Sequence, residues 1–261
     1  MSFADATRTE LLKSRRSRVP WLVAAGLTAA PLVVGLFMIV LEDPERARRL
    51  GLLGTKAALT GGSADWPTMV SMLGQALAIG GSVLLAFLTS WVYGREFSDR
   101  TLRTLLANPT SRAAVVTAKA VVVTLWGAAM FAWVIALGFG IGMALGLPGW
   151  SSSLGAETLG RMAGSAVLIL VLQPVTALLA SVGRGYIAGL AFAVLTVALS
   201  QILAVLGWGG AFPWAVPALV SGAGAGELAP VSLASIALVV ATGGVGLGLL
   251  VLLWRRADHS G

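Results

Sequence analysis

Apolar positions along the chain gather into six runs of membrane-crossing length, at 20–41, 69–93, 113–147, 159–182, 185–206 and 231–254, with short polar connections between them. A helix needs roughly 20 apolar residues to cross a bilayer, so each run predicts one transmembrane helix. The run at 113–147 is longer than one crossing requires, which predicts an extension outside the lipid before the helix enters it. The first run follows Arg8, Lys13, Arg15, Arg16 and Arg18 and so imitates a signal peptide. At about 22 residues it exceeds the apolar core of about 7–15 residues that such peptides carry, and it is read as an uncleaved span. The expected fold is an all-α integral membrane protein with six transmembrane helices in one domain, 1–261. No internal repeat is visible.

The polar connections add detail. Residues 1–19 contain TRTELLKSRRSR, which predicts an interfacial helix with Leu11 and Leu12 toward lipid and its bases toward anionic headgroups. Spans at 20–93 are followed by a polar loop at 94–112, then by spans at 113–206. After the first span, EDPERARRLGLL predicts a short helix with Asp43 as its cap and Pro44 at its first position. The segment 207–230 is apolar but broken by proline and glycine. It predicts a re-entrant or surface hairpin on the outer side, with its backbone buried in protein or facing water. The last span, 231–254, leads into a short tail, 255–261.

Charge fixes the expected orientation. Charged residues make up 11% of the chain, against roughly 25% in soluble domains, and the mean hydropathy is +0.89. A net charge of +7 would suit nucleic acid, but the basic residues sit at the ends of the apolar runs, so the bilayer is the expected partner and nucleic acid is not. Thirteen of the 18 basic residues fall on the side that holds the termini and the 94–112 loop. Arg46, Arg48, Arg49, Lys56 and Arg161 fall on the other. By the positive-inside rule both termini and the loop are cytoplasmic, in a multi-pass protein of the cell membrane. Trp21, Trp91, Tyr93 and Trp254 are expected at the cytoplasmic interface as an aromatic belt. The absence of cysteine excludes disulfides, thiolate catalysis and cysteine-ligated metals.

Catalytic and metal-binding chemistry finds little support. His259, the only histidine, is a tail residue, and no Ser-His-Asp set is credible. The methionines at 38, 69, 72, 130, 143 and 162 are scattered as packing residues are. Glu42, Asp43 and Glu45 lie among arginines that would neutralise them. No catalytic or metal-ligating residue is assigned, and a membrane-embedded enzyme is disfavoured. Gln75, Gln173, with Pro174 beside it, and Gln201 are polar positions inside spans. Each either lines a pathway or bonds to a neighbouring helix, and Pro174 is expected to kink its helix. Gly138, Gly142 and Gly146 form overlapping G-x-x-x-G steps that suit close helix packing, within the chain or between two copies. Arg161 suits a headgroup or an anion near the outer mouth.

The loop is the most informative stretch. In REFSDRTLRTLLANPTSR, Glu96 precedes Arg100 by four and Asp99 precedes Arg103 by four, the favourable order on a helix, worth about 0.2–0.5 kcal/mol per pair. Phe97, Leu102, Leu105 and Leu106 fall toward one side. Asn108-Pro109 ends the helix, and Thr110 or Ser111 caps the next. Such an element is either a solvated loop or a docking helix with an apolar stripe and a charged rim.

The series YGREFSDRTLRTLLANPTSRAAVVTAKAVV resembles the cytoplasmic loop of ABC transporter permeases of the ABC-2 exporter type. The matching positions are Glu96, Arg100-Thr101-Leu102-Arg103, Leu105-Leu106, Pro109-Thr110-Ser111-Arg112 and Lys119, with Arg100 where glycine is commoner. The six-span layout, the interfacial first helix and the broken outer segment also fit. The resemblance implies a permease subunit that forms a pathway with a second permease chain, identical or not. It further implies that each permease chain docks its loop on a separate ATPase subunit, two copies in the complex, which bind ATP and Mg while this chain binds no cofactor. Glu96, Asp99, Arg100, Thr101, Leu102, Arg103, Leu105, Leu106, Pro109 and Arg112 would then be the ATPase-coupling residues. The chain has no phosphate-binding loop of its own: GLLGTK at 51–56 has the wrong spacing. The alternative is an ATP-independent membrane scaffold, sensor or anchor subunit. Cargo is not legible in the sequence.

Overall fold

The structure, a computed structural model, describes residues 3–43, 49, 63–99, 111–222 and 231–256. Among these residues there is no strand, and six helices are long and apolar enough to cross a membrane. Helix α1, Phe3–Arg16, buries Ala6, Glu10 and Ser14, a stripe at four-residue spacing. Its end is turned by Ser17, which caps α2, Arg18–Glu42. The second span, Trp66–Ser98, opens at Asp65, whose carboxylate accepts from the Thr68 amide at 2.8 Å. It comprises α3, Trp66–Ala76, a π turn at Leu77–Gly81, and α4, Ser82–Ser98.

Helix α5, Arg112–Ala144, is capped by Ser111, one of the two residues suited to that place in the sequence. Helix α6, Ser152–Val182, begins well before the apolar run that signalled it. Its first turns, SSLGAETLG, are too polar to register as a span, but the Ser151 hydroxyl accepting from the Leu154 amide at 3.1 Å gives them a start. Pro174 sits inside α6 without ending it. A turn with Arg184 at φ +49 leads to α7, Tyr186–Val205. The described part of the outer segment, 207–222, contains a single 3-10 turn, Gly209–Ala211, and the short α8, Val216–Val220, which packs on α6. The last span is α9, Leu233–Arg256.

In lipid, helices are held by close van der Waals fit rather than by expulsion of water, so small residues decide where they meet. Gly243 and Gly246 of α9 press on Val171 and Val175 of α6, with the Gly243 backbone directly over the Val171 carbonyl. Gly138 and Gly142 of α5 seat Leu73 and Trp66 of α3, so these two glycines pack within the chain. Gly146 lies past the end of α5 at φ +63, with open space around it. Large apolar side chains such as Leu22, Val33, Leu36 and Ile39 of α2 face outward, as a lipid-exposed surface requires.

Two helical groups can be distinguished by their contacts. Helices α1 and α2 lie along α5, while α4 packs chiefly against α6 and α7. At the end that holds α1, the tip of α4 meets the α6–α7 turn so tightly that a methyl group on Gly94 would lie 2.6 Å from the Gly185 carbonyl carbon. Trp254 closes this end, donating from Nε1 to the Ser181 hydroxyl at 3.1 Å and meeting Phe97 edge to face. Trp254 and Tyr93 are each 1% exposed, which corrects the expectation of an aromatic belt at these two positions. Both face the protein because each hydroxyl or indole N–H finds a partner inside it; Tyr93 donates to the Val116 carbonyl at 2.9 Å. Trp21, by contrast, is 57% exposed.

Candidate functional site

The end of the bundle that holds α1 carries a buried cluster of four charges. Lys119 is its centre. It stands on α5 in the apolar string VVTAKAVV and is 0% exposed. An isolated ammonium there would be very costly, and three acceptors remove the difficulty. Lys119 Nζ donates to Glu96 Oε1 at 2.7 Å, to Glu10 Oε2 at 3.0 Å and to the Val92 carbonyl at 2.9 Å. All three ammonium hydrogens are therefore used.

Glu10 comes from α1 and Glu96 from the last turn of α4, so one side chain ties three helices. Lys13, one turn after Glu10 and 28% exposed, bonds Glu10 Oε1 at 2.5 Å and reaches Glu96 Oε1 at 3.4 Å. Two carboxylates and two ammonium groups make the cluster neutral. Burial pushes the Glu10 carboxyl up, but the charges of Lys119 and Lys13 and their hydrogen bonds outweigh it and hold it below the ordinary carboxylate value. Glu96 is less well served: its Oε2 is buried and has no hydrogen-bond partner among the described residues.

The residues assigned to coupling divide accordingly. Glu96 lies on the second span itself, facing α5. Asp99 ends that helix and is exposed, and Arg112 begins α5 half-buried. Arg100, Thr101, Leu102, Arg103, Leu105, Leu106 and Pro109 lie outside the described residues, as do the segment at 44–48, Lys56 and His259.

Among the polar residues within spans, Gln173 faces the protein interior. Its amide donates to the Ile169 carbonyl at 3.1 Å and its oxygen accepts from Thr89 at 2.8 Å. Small cavities of about 20 and 30 Å³ flank it, the second also lined by Pro174. Gln201 is exposed. Gln75 is exposed beside the π turn, on an open groove of about 460 Å³ between α2 and α3 lined by Val34, Phe37 and Ile79. Arg161 pairs with Glu157 at 2.7 Å on the surface.

Glu10 and Lys13 are the cluster members that sequence reasoning passed over. The signal was the lone Lys119 in an apolar helix, since an ionisable residue there demands a partner. Glu10 is the acid embedded in the basic stretch TELLKSRR.

The described residues thus form a helical membrane protein with six candidate spans, in which an ion cluster joins the first helix to the root of the loop. The ABC-2 family transporter protein model matches residues 6–200, and the chain belongs to that family. It is thus a multi-pass permease subunit of an ABC transporter, a class that works with an ABC ATPase and with a second permease chain. The chain is also similar to the bacitracin transport permease protein BCRB of Bacillus licheniformis, at 29% identity over 183 residues, 68% of this chain and 85% of the relative.

Proposed function

We propose that this chain is the permease of an ATP-driven exporter, in which two permease chains form the pathway and the loop at 95–112 docks on a separate ATPase. Both termini and the loop lie in the cytoplasm. ATP and Mg bind the ATPase, whose closure moves the loop as a rigid lever. Asp99, Arg100 and Arg103 hold the docking helix, with Thr101, Leu102, Leu105 and Leu106 on it. Pro109 fixes the corner and Arg112 ties it to α5.

The observation that carries the coupling reading is the Glu96–Lys119 contact at 2.7 Å, which fastens the loop's root to the third span. Making and breaking this contact as the ATPase closes and opens is how motion at the loop reaches the spans. Gln75, Gln201 and the groove beside the π turn are assigned to the pathway or its mouth. Bacitracin, named for the relative, is the first cargo to test.

The test is to tag the chain, extract it gently from native membranes and identify what co-purifies. A stoichiometric ATPase, lost on Arg103→Glu, supports the assignment. An ATPase retained by that variant moves the contact elsewhere, and no ATPase under any mild condition refutes the exporter in favour of a scaffold.

A further inference from the structure

We infer that Glu10 is a positioning residue that keeps Lys119 paired when Glu96 lets go, so that α1 and α5 stay together while the helix bearing Glu96 moves. This rests on the coupling role proposed for the loop. The argument begins with the unequal bonding of the two carboxylates. Glu10 uses both oxygens, one on Lys119 and one on Lys13. Glu96 uses one oxygen for both lysines and leaves its buried Oε2 without a partner among the described residues. Moving Glu96 outward hydrates an oxygen that is unsatisfied in place. Moving Glu10 outward would strand two ammonium groups on a single carboxylate oxygen.

Packing points the same way. Helix α1 lies along α5 with Ala6, Glu10 and Ser14 buried, whereas it meets α4 chiefly through the charges. Helix α4 in turn belongs with α6 and α7. The cluster therefore straddles the seam between the two helical groups, and Glu96 is the member on the far side of it. Lys119 stays with α5, where it is fully enclosed, and its bond to the Val92 carbonyl, on the same helix as Glu96, is given up together with the Glu96 contact. When Glu96 leaves, Glu10 alone neutralises Lys119, and the partly exposed Lys13 turns to water.

The absence of cysteine permits site-directed spin labels without background. One pair, Leu12 with Thr124, reports α1 against α5; the other, Ser98 with Thr124, reports α4 against α5. All three positions are exposed. Distances are measured for the permease with its ATPase in nanodiscs, nucleotide-free and with ATP trapped before hydrolysis. The expected result is an unchanged Leu12–Thr124 distance and a Ser98–Thr124 shift of at least about 2 Å, beyond local adjustment. Glu10→Gln should make the first pair respond to ATP, and Glu10→Asp should restore its constancy.

The inference is overturned if α1 separates from α5 while Ser98 stays, a result the wild-type distances give without any variant. It is also overturned if Glu10→Gln leaves the first pair constant. A complex that hydrolyses ATP with neither pair responding overturns the coupling role of the loop itself, and this inference with it. A shift at Ser98 accompanied by separation of α1 keeps the coupling role and rejects only the part given to Glu10.

Discussion

Replacing Lys119 by methionine removes the centre of the ion cluster while nearly keeping its volume. Glu96 would then keep only Lys13, at 3.4 Å, and Glu10 would share that same partly exposed ammonium. Two buried carboxylates would compete for one cation, and the Val92 carbonyl would lose its donor. Breaking a buried ion pair by removing one partner costs about 3–5 kcal/mol, mostly as the penalty of the charge left behind. The loss should therefore be largely recovered when that charge is removed too, as in Lys119→Met with Glu96→Gln. There Glu10 and Lys13 remain a neutral pair, and the amide that replaces the Glu96 carboxylate is uncharged. The assay is detergent-titrated unfolding in mixed micelles, followed through the nine tryptophans. A single variant within about 1 kcal/mol of wild type, or a double variant no better than the single one, would refute the reasoning that buried charge balance holds this end together.

Two further outcomes are expected. Gly243→Val should destabilise the α6–α9 contact by at least the roughly 1–3 kcal/mol typical of overpacking, because its side chain would meet the Val171 backbone rather than a movable group; the same unfolding titration measures it. The pH dependence follows from Glu10, whose carboxyl titrates below its ordinary value of 4.5 in the folded state. In the acid range the unfolded chain then binds the extra proton, so stability rises with pH there. The contribution is complete above about pH 4.5 and is lost as pH falls through the folded-state value. Glu10→Gln should flatten that part of the stability curve, and an unchanged acid limb would count against the pairing.

The spans were legible because twenty or so apolar residues in a row admit few structures in lipid, and their order needed nothing more. Polar helix ends were not: the first turns of α6 and the last turn of α4 run past the hydrophobic signal, since capping hydroxyls and tertiary partners extend them. The candidate site was half legible. Glu96 and Lys119 stood out by type and position, but a periodic charge pattern suggested that Glu96 belonged on a surface helix with Arg100. Its partner is 23 positions away, on another helix. Local spacing cannot register that pairing, and nothing in α1 announces that Glu10 faces inward except its four-residue spacing from Ala6 and Ser14.

The π turn at Leu77–Gly81 has a consequence for rotational phase. Leu73 and Glu96, both facing α5, are 23 positions apart. At about 100° per residue an unbroken α-helix would point them about 140° apart; absorbing one residue in a wider turn brings them to about 40°. The second span thus carries one residue more than its length requires. Deleting Gly80 would let the turn relax to α geometry with both faces kept in register. Relaxing it at full length would rotate Glu96 by about 100° relative to Leu73, away from Lys119.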